Sequence, residues 1–201
     1  MTAGFFPGTL MPDPDWWQAL WPEPGQVLAG LGVTPGIETA VDLCCGDGLF
    51  TVPLLGLARH VIAIDIDPGM LARARGKTAL PGGAGSSEFL AGDADDVARL
   101  VQRPADIVLI ANTFHGVPDK TRLAAGVAAV LKPGGRFIVV NWHRRPREET
   151  IVLGQPRGPR TEMRMTPEEV AAAVAPSGLG LACVVELPPY HYGAIFEKPA
   201  N

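Results

Sequence analysis

The stretch AVDLCCGDGLF, Ala40 to Phe50, joins an apolar run to two adjacent cysteines and a Gly-Asp-Gly turn. Two chemistries use such residues: a thiol or metal site, or a turn whose backbone approaches a ligand. Metal and redox cysteines commonly stand as C-x-x-C with further ligands elsewhere. Neighbouring side chains on a strand point to opposite faces, so Cys44 and Cys45 diverge. The third cysteine, Cys183, lies in a separate apolar run. The stretch therefore reads as a strand ending in a glycine turn, with no metal site expected.

The chain on either side repeats this strand-then-helix pattern. Strand-like runs are predicted at Thr39–Cys44, His60–Asp65, Ser87–Gly92, Ala105–Ala111 and Gly135–His143. Helix-like segments follow at Leu49–Ala58, Pro68–Thr78 (Asp67 as cap), Asp95–Gln102 and Asp119–Leu131, the last stopped by KPGG. Such alternation means βαβ units and a mainly parallel sheet. The unbroken apolar character of IVLIA and FIVV suits strands buried on both faces. Towards the end, a capped helix (Thr166–Gly178) precedes LGLACVVEL and YGAIFEK. Only PPYH separates these two runs, too short a link for parallel strands, so they form an antiparallel pair. At the front, Asp13–Leu31 reads as helical, interrupted around Pro22–Gly25, and holds Trp16, Trp17 and Trp21.

Bulk properties narrow the function. A chain of 201 residues suits one domain, since domains commonly run about 100–200 residues. Its net charge of −4 argues against a surface for nucleic acid. No apolar run reaches the roughly 18–20 residues that span a bilayer. The first residues lack the basic-then-apolar pattern of a secretory leader. With an odd, small cysteine count, the expectation is a soluble cytoplasmic protein in a reducing compartment.

In an open α/β sheet, ligands bind beyond the carboxyl ends of the strands, where strand order reverses. Those ends carry CCGDG after the first run, Asp65 after the second, GDADD (Gly92–Asp96) after the third and NTFHG (Asn112–Gly116) after the fourth. A glycine turn followed by an acidic strand end seventeen residues after Gly48 is shared with nicotinamide dinucleotide sites. That fingerprint also needs a third glycine, and Thr51 stands in its place.

Taken together and in order, VDLCCGDG, VIAIDIDPGML, FLAGDADDV and LKPGGRFIVVNW resemble the motifs of class I S-adenosylmethionine-dependent methyltransferases, across roughly Thr39–His143. The resemblance is strongest with the small, single-domain, small-molecule type. It implies an α/β fold with a Rossmann-like, doubly wound, seven-stranded sheet, mostly parallel with one antiparallel strand in a C-terminal hairpin. It implies one domain over 1–201: an N-terminal helical lid segment (1–35), a cofactor-binding core (36–143), then a substrate loop, helix and hairpin (144–201). It implies S-adenosyl-L-methionine as cofactor. Asp42, Cys44, Gly46 and Gly48 would surround its methionine part, and Asp65 would hold the ribose. Ile66 and Met70 would flank the adenine, Asp93 and Ala94 would read its amino group, and Asn112 would lie near the sulfonium. Cys44 replaces the family's first glycine. Two alternatives share these features: an NAD-dependent oxidoreductase, and a non-catalytic regulatory protein that binds the cofactor.

The acceptor's proton needs a base, and histidine suits that task near neutral pH. His115, His143 and His191 all fall at the carboxyl rim of the expected sheet, with Tyr190 beside the last; His60 opens a strand at the opposite end. The tryptophans either pack the first helical segment onto the domain or wall the cofactor. The loop His143–Met165 holds six arginines and three acids. Arginine recognises carboxylate or phosphate, so an anionic group on a small-molecule acceptor is expected there, against Arg157 and Arg160.

Overall fold

The computed structural model describes Phe6 and residues 14–79 and 85–200. The predicted helix start at Asp13, the reading of the first residues as leaderless and most of the first third of the lid segment lie outside the described residues.

Among the described residues, nine strands and seven α-helices are placed. The strands are β1 (Ile37–Leu43), β2 (Ala58–Asp65), β3 (Ser86–Ala91), β4 (Ala105–Ala111), β5 (Leu131–Trp142), β6 (Ile151–Val152), β7 (Gln155–Pro156), β8 (Gly180–Leu187) and β9 (His191–Glu197). The helices are α1 (Pro14–Leu20), α2 (Pro24–Gly30), α3 (Thr51–Leu54), α4 (Pro68–Thr78), α5 (Val97–Leu100), α6 (Lys120–Val130) and α7 (Pro167–Val174). Seven strands form one sheet in the order β3-β2-β1-β4-β5-β9-β8. The first five are parallel, and β9 runs antiparallel to both β5 and β8. Strand order reverses between β1 and β4, so a crevice opens beyond their carboxyl ends.

Local chemistry sets the helix starts. Asp67 Oδ1 accepts from Gly69 N at 2.7 Å and Pro68 occupies the first turn of α4. Asp119 caps α6 through Arg122 N, and Thr166 with Glu169 closes a capping box on α7. In the middle of the sheet, side chains alternate between two apolar layers. Val108 and Ile110 of β4 pack with α5, α6 and α7 on one face. Ile107 and Leu109 pack on the other face with Leu28, Leu54 and the tryptophans 16, 17 and 21. All four β4 residues are at most 1% exposed, which is why this run is continuously apolar rather than alternating.

Three elements depart from expectation. The helix predicted over Leu49–Ala58 is only the single turn α3, because Ala58 already belongs to β2, paired with Ile37. The strand predicted from Gly135 begins at Leu131, with a register irregularity opposite Ala105–Ile107 that absorbs the Pro-Gly-Gly segment. The loop after β5 contains the unpredicted hairpin β6–β7. Its two turn residues, Leu153 (φ 52°) and Gly154 (φ 73°), are both left-handed, as a type I′ turn requires. Leucine is a poor occupant of that region and hides the turn signal that Asn-Gly would have given. Leu153→Asn should therefore stabilise the protein by about 1 kcal/mol, raising Tm by about 2–4 °C in a calorimetric scan; an unchanged or lower Tm would contradict the turn assignment.

Candidate active site

Beyond the carboxyl ends of β1 and β4 lies a cavity of about 350 Å³. Its floor is the turn quoted at the outset, which divides into two halves with different tasks. Cys44, Cys45 and Gly46 line the cavity. Gly46 N donates to Asp65 Oδ2 at 2.8 Å, tying the turn to the end of β2. The second half packs away from the cavity. Asp47 pairs with Lys77 of α4 at 2.6 Å, and Gly48, at φ 88°, sits where a Cβ would come within 3.0 Å of Ala74. Gly48 thus packs closely on α4 and is not among the residues that line the cavity. Cys45 is buried and Cys44 half-buried, and the ionisation of both thiols is pushed up, chiefly by desolvation. Among the described residues no cluster of His, Cys, Asp or Glu is arranged to hold a metal.

Two residues flank the reversal point with left-handed backbones, Cys44 (φ 61°) at the end of β1 and Asn112 (φ 57°) at the end of β4. A glycine, which the family resemblance puts at the first, would adopt it without strain; asparagine tolerates the second. Both line the cavity, and Asn112 Oδ1 is buried with no hydrogen-bond partner among the described residues. A ligand with a donor group, such as an ammonium, fits that orphaned acceptor.

Asp42 is buried at the base of the cavity, where its Oδ2 accepts from Thr51 Oγ1 at 2.5 Å. Thr51 therefore has a task that a dinucleotide-type glycine could not perform. Burial, opposed by that hydrogen bond, pushes the Asp42 carboxyl up to about 7. Asp65 is also raised, by desolvation, although its oxygens accept from Gly46 N and Asp67 N. Ile66, Met70, Asp93 and Ala94 complete this side as expected. Asp93 Oδ1 accepts from Asp95 N and caps the short turn that follows it. Nine of the ten expected cofactor residues thus converge on one cavity, Gly48 being the exception.

The expected catalytic group does not stay together. His115, buried in the turn after β4, is on the cavity wall. His143, His191 and Tyr190 are not among the wall residues. Trp142 at the end of β5 faces the cavity, so the next residue turns the other way; His143 Nε2 meets Glu186 Oε2 at 2.9 Å and its ring lies on Tyr192. His191 is Trp142's cross-strand neighbour and sits behind it, 4.1 Å from that ring and 4.5 Å from Trp21. Burial holds its pKa well below the ordinary range, helped by Arg164. The Tyr190 hydroxyl both donates to Ile151 O and accepts from Ile151 N, bracing the β6–β7 hairpin against the sheet. His60 meets Ser86 and Glu38 at the far end, as expected.

The opposite wall comes from the N-terminal helices and the arginine loop. Trp16 and Trp17 stack at 4.5 Å and both line the cavity while also belonging to the apolar core, so packing and walling coincide. Of the two arginines expected there, Arg157 lines the cavity and Arg160 is exposed and off the wall; Arg147, another of the loop's six arginines, takes the second place. Arg164 organises this loop. Its fully buried guanidinium donates to the carbonyls of Pro159, Arg145 and Arg157 and to Thr150 Oγ1, and lies 5.1 Å from the Trp142 ring. Burial lowers its pKa to about 10.

Known proteins share this fold. Residues 41–139 match the family model described as a methyltransferase domain. The chain carries a methyltransferase domain. Its fold is that of the class I S-adenosylmethionine-dependent enzymes: a solved S-adenosylmethionine-dependent methyltransferase from Aquifex aeolicus superposes with a TM-score of 0.73 at 22% identity, covering 92% of this chain and 93% of that one. An uncharacterized methyltransferase of Synechocystis sp. is 34% identical over 119 residues, 58% of this chain and 52% of that protein. The ubiquinone/menaquinone biosynthesis C-methyltransferase UbiE of Marinomonas sp. is 32% identical over 123 residues, 60% of this chain and 48% of that protein. The chain thus spans about half the length of these curated relatives.

The buried acid at the base of the domain has a measurable consequence. Because the folded protein holds Asp42 at about 7 against an ordinary 3.8, the folded state binds the extra proton between those values. Its contribution to stability is present at low pH and is lost as pH rises towards 7. Asp42→Asn, which copies the neutral form, should be as stable as wild type near about pH 3, below the ordinary carboxylate range, and more stable at pH 8, by an amount on the order of a few kcal/mol. Denaturant melts at the two pH values test this; a variant less stable than wild type at pH 8 would show that the carboxylate is well solvated.

Proposed function

We propose that the protein transfers a methyl group from S-adenosyl-L-methionine to a small-molecule acceptor, one that carries an anionic group. The observation that carries this reading is the convergence at one strand-reversal point of Asp42, Asp65, Asp93 and the unpartnered Asn112 oxygen. Bound there, the cofactor would supply an electrophilic methyl carbon on a sulfonium.

The residues divide the task. Asp65, at the end of β2, accepts from the ribose hydroxyls, while Ile66 and Met70 hold the adenine between them. Asp93 and the Ala94 backbone receive its amino group. Asp42 and Asn112 face the cationic part, with Cys44 and Gly46 bringing backbone close to it. A positively charged ligand favours the Asp42 carboxylate over its neutral form, so binding releases a proton near neutral pH. His115 takes the proton from an oxygen or nitrogen acceptor. Trp16, Trp17 and Trp142 exclude water, and the wall as a whole aligns the acceptor for in-line attack, with reacting atoms about 3–3.5 Å apart. The N-terminal segment 1–35 acts as a lid over residues 36–143, and 144–201 presents the acceptor. The net charge of −4 supports a small molecule over nucleic acid, and no helix among the described residues is long and apolar enough to cross a membrane.

S-adenosylhomocysteine should raise Tm in a thermal-shift titration and NAD should not. His115→Gln should keep that shift while lowering kcat about 100-fold or more. A shift with NAD alone would sink the methyl-transfer reading in favour of a dehydrogenase. Full turnover in the His115 variant would remove it as the base.

A further inference from the structure

The cavity is split by charge. Every acid on its wall, Asp42, Asp65, Asp67 and Asp93, comes from the ends of β1, β2 and β3. The two cations, Arg147 and Arg157, come from the loop after β5. Neither arginine has a carboxylate within ion-pair distance among the described residues, and the loop's own acids, Glu148, Glu149 and Glu162, are exposed. The neighbouring carbonyls are already engaged: Gly158 O accepts from Arg147 Nε and Pro159 O from Arg164 Nε. The unused groups at this end are donors. Arg157 Nε and the indole N–H groups of Trp16 and Trp17 are all buried without a partner, on side chains of which the two tryptophans are at most 7% exposed. The Arg157 guanidinium lies 6.0 Å from the Trp16 ring, and Trp16 and Trp17 form a nearly flat stack with 15° between their planes.

Unpaired donors beside the outer face of an aromatic stack call for a ligand that is all acceptor at its tip and planar behind it. Guanidinium groups favour planar carboxylates, which they bind through paired N–H donors. We propose that the acceptor is an aromatic carboxylic acid, its carboxylate held by Arg147 and Arg157 and its ring laid against Trp16, the outer ring of the Trp16–Trp17–Trp21 stack. This deepens the methyl-transfer reading and rests on it. The anion at this end and the cationic methyl donor at the other fix the direction in which the acceptor enters. The separation also keeps the arginines from repelling the sulfonium, which the acids of the first three strands attract.

The test is calorimetric titration of the whole protein, saturated with S-adenosylhomocysteine, with benzoate, trans-cinnamate and 2-naphthoate and with the three matching primary amides. The amides keep shape and ring but lose the charge. At least one carboxylate should bind about tenfold or more tighter than its amide. Arg157→Gln, whose side chain makes no hydrogen bond that the fold needs, should remove that advantage while leaving amide and S-adenosylhomocysteine affinities within about twofold. Arg147→Lys should weaken the carboxylate too, since lysine keeps the charge but not the fork. Equal affinity for acid and amide, or no binding of any of the three acids to the S-adenosylhomocysteine complex, overturns the proposal and leaves the cofactor site standing. Failure of S-adenosylhomocysteine itself to bind overturns the methyl-transfer reading, and the proposal with it.

Discussion

The reversal of strand order between β1 and β4 is the constraint from which the site follows. Parallel neighbours elsewhere in the sheet have their ends covered by the chain crossing to the next strand. At this one point the chain leaves in opposite directions, and the ends of β1 and β4 stay open. The backbone accommodates the parting with two left-handed residues: Cys44, at a cost of about 1 kcal/mol or more, and Asn112, of a residue type that tolerates that region. Both belong to the cavity wall, so the conformational cost falls where the ligand is to be held.

A second organising group acts on the other wall. Arg164 is a fully buried cation with no carboxylate at ion-pair distance among the described residues; three backbone carbonyls, a threonine hydroxyl and the face of Trp142 replace its water. Those partners are spread from Arg145 to Pro159, so a single guanidinium gathers a loop that has little regular structure beyond the β6–β7 hairpin. Tyr190 adds a brace from the sheet to Ile151. The loop is thereby stiff enough to hold Arg147 and Arg157 on the cavity wall. The two halves of the site are built by different means: strand ends tethered by backbone geometry, and a loop tethered by one buried charge.

Much of the first half was legible in the residues. The strand–helix alternation, the caps at Asp67, Asp119 and Thr166 and the acidic strand ends are local patterns, and local patterns depend on neighbours in sequence. The limits show where that stops. Gly48 read as a ligand contact because it stands in the turn; only the fold shows that it packs closely on α4 and does not line the cavity. The histidines after β4, β5 and β8 all reach the carboxyl rim, but reaching a rim does not decide which way a side chain points. Trp142 takes the inward position, which turns His143 outward and buries His191 behind it.

The amino-acid sequence by itself determined the order of strands and helices along the chain and the glycines and acids at the strand ends. Their signals, periodicity, capping residues and strand-terminal glycines and acids, act over a few residues. Only the tertiary structure decided which of four rim side chains enters the cavity, that Arg147 rather than Arg160 stands beside Arg157, and that the two arginines face four carboxylates across one space. Those outcomes depend on strand registry, on the pleat and on a buried guanidinium bonding to carbonyls as many as nineteen positions away. None of these relations is written in the spacing of the residues they join.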